Sequence, residues 1–336
     1  MRTLNRTHLS TKFTLGVMSI SIFILAAFHQ TYDFNDKNPG PEVLIIISDG
    51  STGVAIGKLL MDSGVIKDSK FFVNYYLTNP AARAIAPGIH KVETHISTKL
   101  AVSQLLDQKR ITNSIKILEG TTFSDVLTTL KNSKEIIFTK PDLQTLKAPI
   151  ANRLNSLEGQ IFPAIYSFEP GTSSDAALTS MLKRFENSIK ENKLSSFGKF
   201  SKYEVLTIAS LIQVEGDLSD YPKVARTIYN RLKISMPLQL NSTVQYAANL
   251  RGRIALSTAA TKILSPYNTY RNIGLPPTPI SNPSSAAIRA AMNPAKGDWL
   301  YFITIKPGDT RFTKDYNEFQ SWSEIYNKNL ANGLFK

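Results

Sequence analysis

Apolar and polar positions follow different periods along the 336-residue chain, and the period changes at definable points. From Phe13 to Phe28 the run is apolar except for Thr14, Ser19 and Ser21, and residues 29–32 extend it to the roughly 20 residues that cross a bilayer. Arg2, Arg6 and Lys12 precede it and no acid occurs before Asp33, so the flanking charge predicts a cytoplasmic N-terminus and export of the chain beyond the run. A cleaved signal peptide is the competing reading. Leu25-Ala26-Ala27-Phe28-His29-Gln30 is a poor small-x-small cleavage site, which favours an anchor retained over residues 13–32 behind a tail of residues 1–12. Residues 33–41 are polar with Pro and Gly and read as a linker.

Glu42 to Ser48 is strand-like, Asp49-Gly50-Ser51-Thr52 turns the chain, and Ile56, Leu59 and Leu60 are spaced for one helix face. The arrangement recurs at Ile115–Leu118, then Glu119-Gly120-Thr121-Thr122, then Phe123, Val126, Leu127 and Leu130. Two strand-turn-helix units of this kind suggest a small α+β module, serving either glycan binding or packing alone. Ala177, Met181, Leu182 and Phe185 predict a helix over residues 173–190, a polar loop continues to Phe200, and residues 219–232 predict another helix. Residues 266–294 hold six of the 17 prolines and read as ordered but mostly irregular. Residues 299–304 and 310–313 predict a terminal hairpin around Lys306-Pro307-Gly308-Asp309.

The best-defined helix runs from Ser201 to Gly216. Ser201 and Glu204 form a capping box, and Gly216 is a typical stop. On a 3.6-residue period Ile208, Leu211, Ile212 and Glu215 share a face, so Glu215 continues an apolar stripe. Partial burial and the negative end of the helix both disfavour its charged form. A carboxyl that keeps its proton near neutral pH can act as a general acid. The alternative is a Glu at a frayed helix end reaching solvent.

Composition narrows the chemistry. The absence of cysteine removes disulfides, thiol chemistry and Cys-ligated metals. The four histidines all lie at or before His95, so the C-terminal two-thirds by itself holds neither a Ser-His-Asp triad nor a His-ligated metal. There is no P-loop and no HExxH. Ser196-Phe197-Gly198-Lys199 has S-x-x-K spacing without a later K-T-G. A carboxyl-based reaction remains, with no cofactor or metal called for. A net charge of +13 suits nucleic acid, anionic lipid or an acidic polymer, and equally a solvated surface without a partner. Export disfavours nucleic acid.

Several ordered segments resemble the endolytic murein transglycosylases (the MltG/YceG-like family) between Glu42 and Gln320. Asp49-Gly50, Gly64-Val65-Ile66 and Pro87-Gly88 are similar to the family's LysM-like region, and Leu157-Glu158-Gly159 with Phe162-Pro163 and Tyr166 to its LEG-x-x-FPDTY segment. Ala209 to Glu215 resembles the helix bearing the family's catalytic Glu, and Val224-Ala225 with Asn230-Arg231-Leu232 the helix after it. Further likeness lies in Met236, Leu238-Gln239, Ser242-Thr243-Val244 and Tyr246, in residues 267–270, in Gly274-Leu275-Pro276-Pro277, Pro279-Ile280 and Asn282-Pro283, and in Leu300-Tyr301-Phe302 with Phe312. The resemblance implies an α+β chain: a transmembrane helix, a LysM-like module over residues 42–112 and a mixed α+β catalytic region over residues 113–336. It implies cleavage of the MurNAc–GlcNAc bond of peptidoglycan without water, leaving 1,6-anhydro ends, with Glu215 as acid and base. An internal nucleophile removes the need for the second carboxyl of ordinary glycosidases.

Asn230, Gln239, Thr243 and Asn268 are candidates to hydrogen-bond sugar groups, and Tyr246, Tyr267 and Tyr270 to stack on rings; loop support is the alternative for each. Glu158 is the other carboxyl in a family segment, and Arg231 is expected in a structural ion pair. Cell-wall synthesis proteins are candidate partners. Ala164, Asn241 and Phe319 depart from the family's Asp, Asp and His, each removing an ionisable group. These losses keep a non-catalytic wall-binding adaptor in view. A hydrolytic muramidase using Asp217 or Asp220 to place a water is the other rival.

Overall fold

The computed structural model describes residues 33–48, 50–250 and 260–335; the expected anchor and residues 251–259 lie outside them. Among the described residues no helix is long and apolar enough to cross a membrane. The chain divides into two compact units, Met1–Thr112 and Asn113–Lys336.

The first unit carries β1 (Glu42–Ile47), α1 (Gly53–Asp62), α2 (Ser69–Thr78), β2 (Gly88–Glu93), α3 (Thr98–Leu106) and β3 (Ile111–Thr112). The strands form an antiparallel sheet in the order β1-β2-β3. Ile45 and Ile47, two apart on β1, reach a core shared with Ile56 and Leu60 of α1, Phe72 of α2 and Val102 and Leu105 of α3. Residues 33–41 are tied to this unit. Asp33 accepts from Thr98 N at 2.8 Å and Asp36 from Ser97 N at 2.7 Å, placing two carboxylates at the positive start of α3.

The second unit contains β4 (Ser114–Ile117), α4 (Phe123–Asn132), β5 (Ile136–Ile137), β6 (Ala164–Ser167), β7 (Thr172–Ser173), α5 (Ser174–Glu191), α6 (Lys202–Glu215), α7 (Tyr221–Lys233), α8 (Asn241–Ala248), α9 (Ser285–Met292), β8 (Tyr301–Lys306), β9 (Asp309–Thr313) and α10 (Tyr316–Ala331). Its sheets are two-stranded: β4 with β6 antiparallel, β5 with β7 parallel, β8 with β9 antiparallel. The fold is thus mixed α+β. The two strand-turn-helix units fall into different compact units with separate cores, rather than together forming one module. In both, the turn glycine has positive φ (Gly50, Gly120) and the Thr two residues later caps the helix through its side chain.

Three sequence expectations change. The proline-rich stretch contains α9, a two-turn helix capped by Ser284 with Ala287, Ile288, Ala290 and Ala291 buried. The hairpin is not terminal, because α10 comes after it. The helix bearing Glu215 is not a one-stripe amphipathic helix: Val205 to Ile212 are all buried. It is the central helix of a core that includes Val224 and Ile228 of α7 and Ala287 and Ile288 of α9. A helix buried all round must satisfy its polar side chains internally, and they do so by holding the irregular segment before α9. Ser210 Oγ accepts from Ile280 N at 3.1 Å, and Gln213 Oε1 from Ser284 N at 2.9 Å.

Candidate active site

The site forms where α6 emerges from this core. Its first turn is fixed by the expected capping box, with Ser201 N donating to Glu204 at 2.7 Å and Glu204 N to Ser201 Oγ at 3.3 Å. Its last turn ends at Gly216, whose backbone is extended rather than left-handed. A Cβ there would lie 3.0 Å from Val224 Cγ2, so close approach to α7, and not a glycine-only conformation, is what a side chain would disturb.

Glu215 is half-buried at this emerging end. Its Oε1 accepts from Ser242 Oγ, and Ser242 N lies 3.4 Å away. Ser242 is in the first turn of α8, so the carboxyl sits at the negative end of one helix and the positive end of another. Burial raises its pKa, opposed by the Ser242 hydrogen bonds and then by the Arg231 charge; burial wins. Arg231 is buried. Its guanidinium donates to the Leu300 and Leu238 carbonyls and lies 5.5 Å from the Tyr301 ring centroid. Among the described residues it has no carboxylate partner, which corrects the expected ion pair. Two backbone carbonyls take its hydrogen bonds, and its charge reaches Glu215 through space.

Beside Glu215 lies a cavity of about 310 Å³ lined by Glu119, Gln213, Val214, Ser242, Gln245 and Tyr246, among others. This is near the lower size of small-molecule sites. The turn holding Glu119 is pinned by Asn282, which exchanges backbone hydrogen bonds with Gly120 (2.9 Å) and Thr121 (2.7 Å). A second cavity, of about 800 Å³, lies at the other end of α6, with Tyr203, Glu204 and Thr207 in its wall.

Of the candidates, Glu215, Tyr246 and Tyr270 gather around the α6 terminus. Tyr270 Oη donates to Asn241 Oδ1 at 2.6 Å, and Glu215 contributes to raising its pKa, after burial. Tyr246 Oη donates to Glu158 at 2.9 Å, and its ring packs 5.0 Å from that of Tyr267. Glu158 is buried and also accepts from Phe123 N at 2.9 Å, at the start of α4. It therefore braces the pocket wall through Tyr246 while capping a helix. Neighbouring Gly159 has φ +77° and lies where a Cβ would be 2.5 Å from Pro279, so both conformation and space require glycine. Tyr267 Oη pairs with Thr278 Oγ1 at 2.9 Å.

Other candidates are engaged inside the fold. Asn230 donates to the Gly297 and Trp299 carbonyls, Thr243 to that of Leu240, and buried Asn268 to those of Thr261 and Ile263. Gln239 is exposed with φ +48°, and its backbone N–H donates to the Thr269 carbonyl at 3.0 Å. Ser242, Glu119, Gln213 and Gln245 were missed as site residues. Ser242 and Gln213 lay in segments with family likeness and Glu119 in the repeated turn, while Gln245 carried no signal. Asp217 is exposed, and Asp220 precedes α7 without capping it through its side chain. Among the described residues no group of three His, Asp or Glu could hold a metal ion.

The YceG-like family matches residues 45–324. An endolytic murein transglycosylase of Bacillus subtilis (strain 168) is 33% identical over 315 residues, covering 87% of this chain and 86% of the relative. An endolytic murein transglycosylase of Streptococcus pneumoniae serotype 2 (strain D39 / NCTC 7466) is 28% identical over 304 residues, covering 80% of this chain and 55% of the relative. Among solved structures, the crystal structure of a YceG-like protein from Listeria monocytogenes matches with a TM-score of 0.51 at 25% identity, covering 83% of this chain and 98% of that one.

Proposed function

We propose, from the premise that the chain belongs to the YceG-like family, that it is a lytic endotransglycosylase cutting the MurNAc–GlcNAc bond of peptidoglycan, with Glu215 as its single acid and base. The placement of Glu215 carries this reading: a carboxyl with a raised pKa at the end of a rigid core helix, beside a cavity with polar walls. In the first step the protonated carboxyl gives its proton to the glycosidic oxygen as the C1–O bond breaks. The bonding pair leaves with that oxygen. In the second, the carboxylate takes the proton of the same sugar's 6-hydroxyl while that oxygen bonds C1, closing the 1,6-anhydro ring. Glu215 returns to its starting state and no water is consumed. General acid–base help of this kind is worth roughly 10²–10⁴-fold, and holding the 6-hydroxyl in place supplies much of the remainder.

Glu119 and Gln245 bring a carboxylate and an amide to the cavity wall for sugar hydroxyl and acetamido groups, and Tyr246 an aromatic face, while the Gln213 amide in the same wall is held by Ser284 N and Tyr221 Oη. The basic N-terminal flank and apolar run support a membrane anchor over residues 13–32 with the rest outside the cytoplasm. The unit ending at Thr112 is read as a LysM-like glycan-binding module, and cell-wall synthesis proteins as partners.

Mass analysis of the products from purified peptidoglycan tests the reading. Anhydro-muramyl ends are expected. Reducing ends would replace it with a hydrolytic muramidase, and binding without cleavage would replace it with an adaptor.

A further inference from the structure

We propose that Ser242 is a positioning residue for Glu215 that fixes which carboxyl oxygen carries the transferable proton; this rests on the reading of Glu215 as acid and base. Ser242 donates to Glu215 Oε1 through its hydroxyl, and its backbone N–H faces the same oxygen at 3.4 Å. Both donors belong to the first turn of α8, where amides lack intrahelical acceptors and the helix end is positive. A hydroxyl can reverse its role, but a backbone N–H cannot. A proton on Oε1 would confront that N–H, so the neutral acid carries its proton on Oε2. Oε2 has no hydrogen-bond partner among the described residues, which leaves it free for the glycosidic oxygen and then for the 6-hydroxyl.

The other groups that act on this carboxyl do so without touching it. Arg231 of α7 acts through space, its hydrogen bonds going to the Leu300 and Leu238 carbonyls. Tyr270, from the segment after α8, is turned by its hydroxyl onto Asn241 Oδ1. Ser242 thus combines contact with orientation. Its hydroxyl also favours the carboxylate form, opposing burial, so it keeps the acid from becoming too weak to release its proton and the base from being lost.

The test is a titration of Glu215 in the full chain, by carboxyl ¹³C NMR without substrate, with Glu215→Gln identifying its resonance. In Ser242→Ala the midpoint should rise by about 1–2 units, the effect of one hydrogen bond to a charged group. In Ser242→Thr it should return toward the parent. With peptidoglycan, Ser242→Ala should also move the alkaline limb of kcat/KM upward and lower the plateau on the order of 10-fold through loss of orientation. A merely structural Ser242 would lower thermal unfolding without moving the titration. An unmoved midpoint in Ser242→Ala overturns the role of Ser242. A parent that forms no anhydro ends overturns the transglycosylase reading instead, and the titration separates the two.

Discussion

Burial of Glu215 is held at the expense of the fold. Its raised pKa means that the folded chain binds its proton more tightly than the unfolded chain does. Stability is therefore lost as pH rises from the ordinary carboxyl value toward the raised one, and the loss persists at neutral pH. Glu215→Gln removes the charge, so its thermal midpoint at pH 7 should equal or exceed the parent's, as differential scanning calorimetry would read. Glu158 behaves oppositely. It is the buried acceptor for Phe123 N and Tyr246 Oη. Glu158→Ala leaves both donors unsatisfied and should cost about 1–3 kcal/mol in denaturant unfolding. The position of Glu215 was legible because a capping box and a glycine framed its helix. Ser242 was not, because it lies 27 residues away and only the packing of α8 on α6 brings it near. The candidate Asn and Thr residues were flagged by type and family likeness, and the backbone carbonyls that engage several of them are invisible in a sequence.

At the scale of the element, α6 ends at Gly216, which lies close against Val224 of α7. Gly216→Ala places a methyl 3.0 Å from Val224 Cγ2 and should shift the last turn. Glycan cleavage is expected to fall more than tenfold, since misplacement of about 1 Å can cost 10²-fold. Val224→Ala in the same chain should recover most of it. A Gly216→Ala variant with parental kcat/KM would mean that the contact does not govern the acid. Element by element, capping residues and apolar periods disclosed β1, α1, β4, α4, α5, α6 and α7. They did not disclose α2, α3, α8 or α9, the last lying between Pro283 and Pro294, nor α10, whose face of Phe319, Trp322, Tyr326 and Leu330 is only half-buried. The stripe assigned to α6 was incomplete because core helices are apolar on every side.

At the scale of the whole molecule, two units with separate cores should respond separately to pH. His90, on β2, is fully buried; Nε2 lies 2.9 Å from the Ala86 carbonyl and Nδ1 has no partner. Burial lowers its pKa, outweighing that backbone bond. The unfolded chain then binds the extra proton, so stability is full above the ordinary histidine value of about 6.5 and falls as pH drops below it. Thermal unfolding monitored between pH 7.5 and 5 should show one transition moving down, and His90→Gln should flatten that dependence. The proposed anchor leads to a different expectation: a reporter fused after Lys336 should be active only outside the cytoplasm, and the protein should resist carbonate extraction. Release of a shortened soluble form would show a cleaved segment instead. The central claim, that one carboxyl is both acid and base, is tested most directly by counting anhydro-muramyl ends released from purified peptidoglycan by the parent and by Glu215→Gln. The parent should form them, and the variant, folded and still binding glycan, should form at least about 10²–10⁴-fold fewer. Near-normal formation of anhydro ends by Glu215→Gln would contradict the assignment.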